Sequence, residues 1–246
     1  MMTFIADGYV DLGHGEKLKS GRNDPGAVSG TLIEHDMNVI YGTALAERLR
    51  EHGYNIKTEP GDLSITASAQ TANAFGADFL LSCHINAGGG DRGEVVYSIR
   101  QGSKKLADAV VLGLKNAGQT KVTTYTKMNN AGNADYFGIL RCSNCPAVII
   151  EPFFIDNVVD RQIGDTPAEL KRLGICIADA IASVYGSKKG EDEMLTETKI
   201  KINGKEITGF IKDGSSYAPV RALAESLGAK VTWDEKTKTV LIEGRK

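Results

Sequence analysis

Two of the four histidines in the chain follow predicted strands. His14 lies in Asp11-Leu-Gly-His-Gly15, just past the first predicted strand, and His84 lies near the end of the predicted strand 78–85. Because α/β proteins place their sites beyond the carboxyl ends of strands, the two imidazoles can converge on one point. Glu34, in the first turn of the following helix, could supply an oxygen ligand. Two imidazoles, one carboxylate and a water molecule describe a catalytic zinc site.

The other two histidines compete with this interpretation or have a simpler one. His35 is adjacent to Glu34 but points about 100° away around the helix, so only one of the two can face the same ion. His52 lies at a helix C-terminus, where the helix dipole favours a cation. From spacing alone, structural histidines and an acid at a helix N-terminus explain the same residues as a metal site does, and both interpretations stay open.

A further acidic residue ends the most apolar predicted strand. Glu151 follows Ala147-Val-Ile-Ile150, where a carboxylate is costly to desolvate unless it is paired, bound to metal or used for proton transfer. It is therefore a candidate general base. The alternative is an acid that reaches solvent or pairs with Arg141.

Alternating apolar runs and helical periodicity predict the elements that position these residues. Between residues 4 and 186 the pattern favours an α/β fold in which helices flank a sheet. Strands are predicted at residues 4–12, 54–58, 78–85, 94–99, 136–140 and 147–154. Helices are predicted at residues 33–52, 64–75, 103–116 and 166–185. The last helix opens with Thr166-Pro-Ala-Glu169, which supplies a cap, a proline at the first helical position and a capping-box acid.

A polar segment predicts a domain boundary. Residues 187–193 contain no apolar side chain and read as a solvated linker. Beyond it, two short strands flank an Asn203-Gly204 turn. A strand near Tyr217, a helix at 220–227 and strands at 230–233 and 239–242 follow. We therefore expect a catalytic domain over residues 1–186, a linker over 187–193 and a small α+β domain of ββαββ type over 194–246.

The composition excludes several classes of protein. The chain has 246 residues, a net charge of −2, and 41% hydrophobic and 24% charged residues, which is typical of globular proteins and not of disordered, collagenous or coiled-coil chains. The small net charge gives no indication of nucleic-acid binding. Residues 194–246 carry 10 Lys and Arg against 7 Asp and Glu. This excess suits either an anionic partner surface or, more simply, solvated polar faces.

Expectations about compartment follow from the N-terminus and the cysteines. Met1–Asp7 lacks the basic and apolar regions of a secretory signal, so we expect synthesis in the cytoplasm. The longest apolar runs are far shorter than the ~18 residues of a membrane span, so no membrane insertion is expected. Four cysteines are too few for a disulfide framework, and free thiols are expected, including Cys142 and Cys145. Gly88-Gly-Gly90 is expected to form a flexible cleft rim and not a phosphate loop, because a phosphate loop would have Lys-Ser/Thr after its glycines.

Several segments of residues 4–186 together resemble the zinc-dependent N-acetylmuramoyl-L-alanine amidases of the Amidase_3 type. The segments are Asp11-Leu-Gly-His-Gly15, Asp24-Pro-Gly-Ala27, Glu34, Ser82-Cys-His-Ile-Asn86, Leu140-Arg141, Pro146-Ala-Val-Ile-Ile-Glu151, Phe154, Asn157 and Asp160. The resemblance implies a mixed sheet wrapped by helices and hydrolysis of the amide that joins N-acetylmuramic acid to L-alanine in peptidoglycan.

By this resemblance, His14, Glu34 and His84 would be Zn²⁺ ligands and Glu151 the catalytic acid and base. Asn86, Arg141 and Asn157 are candidates for contacts with substrate or with the ligand side chains.

The chain departs from the family pattern at two places beside the predicted cleft. Residues 16–23 form a longer and more charged link than the family usually has, and Phe153 stands where the family has glycine after its catalytic acid. Both departures concern fine specificity, because no proposed ligand or base is lost.

Residues 194–246 resemble the copper amine oxidase N-terminal-like module found beside wall hydrolases. This segment contains no His and no Cys, so the soft ligands of a copper site are absent. The resemblance implies attachment to the wall, with a secondary wall polymer as a candidate ligand. A stabilising appendage or a dimerisation unit is the alternative.

Other functions remain open at this stage. Without a signal, the resemblance suggests a phage endolysin or a mother-cell lysis amidase. A zinc peptidase that cuts within the stem peptide is the rival enzyme. A wall-binding protein with a structural metal is the rival of another class, although structural zinc normally has four protein ligands.

Overall fold

A computed structural model of the chain describes residues 4–18, 20–59, 63–188, 196–212 and 215–244. The chain divides into two compact units, one within residues 1–188 and the other within residues 189–246. Residues 189–193 of the predicted linker lie outside the described residues.

The larger unit is built on a six-stranded mixed sheet. Its strands are β1 (Asp7–Asp11), β4 (Asn55–Thr58), β5 (Phe79–Cys83), β6 (Gly93–Tyr97), β7 (Val122–Tyr125) and β8 (Ala147–Glu151), and a small hairpin is formed by β2 (Val28–Ser29) and β3 (Leu32–Ile33). The order in the sheet is β4-β1-β5-β8-β6-β7. The first four of these run parallel, whereas β6 is antiparallel to β8 and parallel to β7. The start of β6 therefore lies at the edge where β1, β5 and β8 end.

Helices cover both faces of this sheet. They are α1 (Glu34–Glu51), α2 (Ile65–Phe75), α3 (Ser103–Asn116), α4 (Gly138–Cys142) and α5 (Pro167–Tyr185), with a 3₁₀ turn at Asp160–Ile163. On one face α1 and α3 pack against α5, and on the other α2 contacts α4. Side chains alternate along each strand, so Val10 and Leu81 join one core while Tyr9 and Leu80 join the other.

Gly174 on α5 allows α1 to pack closely against α5. A Cβ at Gly174 would lie 2.2 Å from the carbonyl oxygen of Tyr41, so only glycine allows this approach of the two helices. The Tyr41 hydroxyl in turn donates to the carbonyl oxygen of His84 at 3.0 Å. This packing fixes α1 against the end of β5.

The predicted mixed sheet flanked by helices is confirmed, and so are the four long helices. Ser64 caps α2 and Thr166 forms the capping box of α5 with Glu169. The strand predicted at residues 136–140 is wrong, because residues 138–142 form the helix α4. Five residues are too short a run for periodicity to separate a helix from a strand. The half-exposed edge strand β7 was not predicted.

The smaller unit contains β9 (Thr196–Ile202), β10 (Lys205–Lys212), β11 (Ser215–Tyr217), α6 (Val220–Ser226), β12 (Lys230–Asp234) and β13 (Thr239–Glu243). Strands β9, β10 and β11 form one antiparallel sheet, and β12 and β13 form a hairpin. Asn203 and Gly204 turn between β9 and β10 with φ of 49° and 80°, the left-handed conformation that an Asn-Gly hairpin turn requires. The expected small α+β module is confirmed.

Two further expectations concern the whole chain. The four cysteines are free. Among the described residues, no helix is long and apolar enough to cross a membrane.

Candidate metal centre

Three side chains from separate elements meet at the carboxyl edge of the sheet. His14 follows β1, His84 directly follows β5, and Glu34 is the first residue of α1. One potential ligand atom of each residue lies within 4.8 Å of the other two. The strand order thus brings to one point three residues that are 20 and 50 positions apart in the chain.

The Asp24 carboxylate orients the His14 ring through the nitrogen that does not face the cluster. Its Nδ1 lies 2.7 Å from Asp24 Oδ2, and its Nε2 lies 3.1 Å from Glu34 Oε1. A carboxylate bonded to one imidazole nitrogen fixes the proton there and leaves the other nitrogen free to bind a metal. The arrangement therefore presents Nε2 of His14 to the centre of the cluster.

Glu34 is 4% exposed and is fixed through both carboxylate oxygens. Oε2 accepts from the backbone N–H of Ala27 at 2.7 Å, and Oε1 accepts from that of Ile85 at 3.1 Å. Oε1 also lies 3.1 Å from His84 Nδ1. In return, the Ala27 carbonyl accepts from the N–H of Glu34. The loop of residues 24–27 therefore lies across the N-terminus of α1 and aims the carboxylate at both histidines.

Glycines make room for this packing. A Cβ at Gly26, where φ is 67°, would lie 2.5 Å from Glu34 Oε2, and one at Gly13, where φ is 37°, would lie 2.8 Å from the His84 ring. His14 itself has φ of 64°, a conformation uncommon for residues other than glycine. The backbone around His14 is thus shaped to bring its ring to the cluster.

The charges of the cluster require positive charge beside Glu34. Burial alone would raise the pKa of the Glu34 carboxyl, but hydrogen bonds with His14 and His84 lower it well below its ordinary value. Burial opposes protonation of His14, yet hydrogen bonds with Glu34 and Asp24 raise its pKa to about 9. In the same way the contact with Glu34 outweighs burial and raises the pKa of His84. Either protons or a cation must therefore balance the buried carboxylate.

The donor set fits zinc. Two imidazole nitrogens and one carboxylate oxygen are the ligands of catalytic zinc sites, which keep one position for water or substrate. The Asp24 carboxylate behind His14 is the outer partner that such ligands ordinarily have.

Glu151 lies at the end of β8 and faces the same cavity as the two histidines. Its Oε2 is buried and has no hydrogen-bond partner in the part of the chain that the structure describes. Burial raises its pKa to about 7. A carboxyl with one buried, unpaired oxygen and a pKa raised toward neutrality is suited to accepting and returning a proton.

The cavity above these residues has a volume of about 610 Å³. Asn86 lines it, so one of the three candidate contact residues reaches the cleft. Arg141 lines a separate cavity, and its guanidinium donates to the carbonyl oxygens of Asp135 and Tyr136 and not to Glu151. The side chain of Asn157 donates to the Gly90 carbonyl at 2.7 Å, which holds the glycine-rich loop.

The two remaining histidines lie apart from the cluster. His35 Nδ1 is 3.0 Å from the carbonyl oxygen of Gly13, so Glu34 is the member of the adjacent pair that faces the other two side chains. His52 Nε2 is 2.6 Å from Asp179 and its Nδ1 is 2.7 Å from Ser187.

Sequence reasoning missed other polar residues of the cleft. Glu94 lines it from β6, Tyr125 lines it from β7, and Arg92 lines it from the residue before β6. Glu94 pairs with Glu151 in the register of the two strands. The reversed direction of β6 brings these residues to the site, and no feature of its residue pattern reveals that direction.

Comparisons with known proteins agree with this geometry. A family model described as N-acetylmuramoyl-L-alanine amidase matches residues 9–183, and one described as copper amine oxidase N-terminal domain matches residues 198–246. The sporulation-specific N-acetylmuramoyl-L-alanine amidase of Bacillus subtilis is 26% identical over 203 residues, which cover 78% of this chain and 73% of the relative. The endolysin of Bacillus phage SPP1 is 27% identical in an alignment that covers 97% of this chain and 90% of the relative.

The fold has solved counterparts as well. The structure of Cwp6 from Clostridium difficile superposes with a TM-score of 0.66 at 25% identity, over 73% of this chain and 29% of Cwp6. The chain thus spans less than a third of that protein. Because the first family model covers well over half of the residues, the chain belongs to the N-acetylmuramoyl-L-alanine amidase family of the Amidase_3 type.

Proposed function

We propose that this amidase cleaves the bond between N-acetylmuramic acid and L-alanine in peptidoglycan, with His14, Glu34 and His84 holding Zn²⁺ and Glu151 moving protons. Membership of the family supports the reaction and the substrate. The observation that carries the residue roles is the meeting of three ligand atoms within 4.8 Å of one another, in a cleft that also holds a carboxyl with one buried, unpaired oxygen.

The roles divide between the metal and the acid. A zinc ion bound there would lower the pKa of a water molecule and polarise the scissile carbonyl. Glu151 accepts the proton of the attacking water and later donates it to the leaving nitrogen, because an amine leaves only after protonation. Asp24 keeps His14 Nε2 free for the metal, and Asn86 is in place to contact the substrate from the cavity wall.

The products distinguish this reaction from its rivals. Digestion of purified peptidoglycan should release new amino termini that are all L-alanine and should create no new reducing ends, and the release should stop with a chelator and return with zinc. Amino-terminal labelling followed by hydrolysis identifies the new residue. New termini at another stem residue would identify a peptidase, and wall binding without any new terminus would identify a non-catalytic protein.

We further propose that the enzyme acts as an endolysin, which is made in the cytoplasm and reaches the wall after release. The similarity to the phage SPP1 endolysin supports this role because it extends over nearly the whole chain. Cells that express the protein should lyse only after their membrane has been permeabilised. This result would agree with the endolysin role.

Residues 194–246 are proposed to attach the enzyme to the wall, with residues 187–193 as the boundary between the two domains. The separate smaller unit and the excess of basic residues in this segment support an anionic wall polymer as its ligand. A chain ending at residue 188 should hydrolyse soluble muramoyl peptides as well as the full chain does, but it should co-sediment less with purified walls. Equal co-sedimentation of the two proteins would exclude the attachment role.

A further inference from the structure

The charged side chains that line the cleft are mostly acidic. They include five carboxylates, those of Asp11, Glu16, Asp24, Glu94 and Glu151. Among the described residues that line the cleft, Arg92 is the only Lys or Arg. Outside the proposed metal centre, Arg92 is therefore the lining side chain that would attract an anionic group of a substrate.

Arg92 is held in position by three separate contacts. Its guanidinium forms an ion pair with Glu94 and lies over the Phe154 ring, 5.1 Å from the ring centroid. Its backbone N–H donates to Asp160 Oδ2 at 3.2 Å. The same oxygen accepts from the N–H of Phe154 at 2.8 Å. Asp160 therefore fixes the backbone of Arg92 and that of the residue on which its side chain stacks.

Both oxygens of the Glu94 carboxylate, the ion-pair partner of Arg92, have contacts within the protein. Glu94 is 7% exposed, its Oε1 faces Arg92, and its Oε2 accepts from the Tyr125 hydroxyl at 3.1 Å. The Arg92 side chain, in contrast, is 43% exposed. A guanidinium has five N–H donors, so donors remain for a ligand in the cleft. Glu94 thus orients the Arg92 guanidinium and leaves some of its N–H donors available to a ligand.

Two further acidic residues of the cleft have partners within the protein. Asp11 accepts from the hydroxyls of Ser68 and Ser82 at 2.6 Å each, and Asp24 is bonded to His14. Neither of them pairs with Arg92, which leaves Arg92 as the cationic side chain directed to substrate.

Arg92 lies immediately before β6, and this position sets its reach. It is two residues before Glu94, which faces Glu151 across the strand pair, and two residues of chain span at most about 7 Å. One or two residues of an extended peptide cover a similar length, at roughly 3.5 Å each. A peptide whose scissile amide lies at Glu151 can therefore bring its next residue to Arg92.

We propose that Arg92 binds the free α-carboxylate of the stem residue that follows L-alanine, so that the enzyme prefers stems with D-glutamate at this position to stems with the amidated D-isoglutamine. This inference rests on the proposed function, because it presumes that the stem peptide occupies the cleft. A guanidinium and a carboxylate form paired N–H···O bonds, which a carboxamide cannot replace.

The test compares Arg92→Gln with the wild-type chain on two probes, the N-acetylmuramoyl-L-alanyl-D-glutamate and the N-acetylmuramoyl-L-alanyl-D-isoglutamine peptides. The wild-type enzyme should show the higher kcat/KM on the carboxylate probe. Arg92→Gln should lower kcat/KM on that probe by roughly 10- to 100-fold, the value of a hydrogen bond to a charged group, mainly through KM. On the amidated probe the variant should change little, and Arg92→Lys should be intermediate.

Lys104→Gln is the matched control, since Lys104 is an exposed cation paired with Asp108 on α3, and it should behave as wild type on both probes. Equal losses on the two probes with Arg92→Gln, or equal kcat/KM values for the two probes in the wild-type enzyme, would overturn the inference alone. Failure of the wild-type enzyme to cleave either probe would overturn the proposed function and this inference with it.

Discussion

Glu151→Gln should lower kcat for amide hydrolysis by roughly 10²- to 10⁴-fold, the contribution of a positioned general acid and base. Glutamine has nearly the same shape but cannot take up or return a proton. Because Glu151 is not one of the three clustered ligand residues, the variant should keep the zinc content of the wild-type protein. Single-turnover hydrolysis of a muramoyl peptide and metal analysis of the same samples measure the two quantities.

The pH profile gives a second readout of the same role. A base acts in its ionised form, and burial raises the pKa of Glu151 to about 7, so kcat/KM should rise with pH on the acidic side of neutrality. A bound cation nearby favours the ionised form and moves this rise to lower pH. The rise should disappear in Glu151→Gln.

Glu47→Gln is the control for this experiment, because Glu47 is an exposed residue on the outer part of α1. It should keep full activity. A kcat for Glu151→Gln within a few-fold of the wild-type value would rule out the proton-transfer role.

His84→Ala should remove zinc and activity together. The loss of one of three protein ligands should weaken zinc binding by more than the roughly 10- to 100-fold that follows loss of an outer hydrogen-bonding partner. It also leaves the buried Glu34 carboxylate with the His14 imidazole as its one remaining imidazole neighbour in the cluster. Equilibrium dialysis against a zinc buffer, with hydrolysis measured on the same protein, checks both effects.

His35→Ala offers a closely matched control. His35 follows Glu34 directly in the chain, yet its ring contacts the Gly13 carbonyl and not the cluster. This variant should retain about one equivalent of zinc and most of the activity. If His84→Ala bound zinc as tightly as His35→Ala, the proposed ligand set would be wrong.

The sequence predicted the long helices from their apolar periodicity, and two of them also carry their own start signals. Thr166 and Glu169 cap α5 and Ser64 caps α2, and such local hydrogen bonds need no knowledge of the rest of the fold. Residues 138–142 lack these signals. Their helix is stabilised by packing on α2, and a pattern of five residues predicts a strand equally well.

Part of the metal cluster could also be predicted from local sequence patterns. His14 and His84 follow strands that the apolar runs reveal, and the helical repeat shows that Glu34 and His35 cannot both face one ion. Which of the two faces it depends on the loop of residues 24–27, whose backbone binds the Glu34 carboxylate. That contact joins distant backbone atoms and leaves no periodic signal in the sequence.

The presence of Glu94 and Arg92 at the site could not be predicted. It depends on β6 running against β8, and an apolar strand has the same residue pattern in either direction. The register of that one strand pair decides that Glu94 faces Glu151.

Anomalous diffraction at the zinc edge, from crystals of the zinc-loaded protein, would test the proposed ligand set by locating the metal ion. We expect a single zinc ion bound by His14 Nε2, a carboxylate oxygen of Glu34 and His84 Nδ1. We expect no fourth protein ligand, and the Glu151 carboxyl should lie nearby but not be bonded to the ion. A peak at another place in the chain, or one whose coordination a fourth side chain completes, would contradict it.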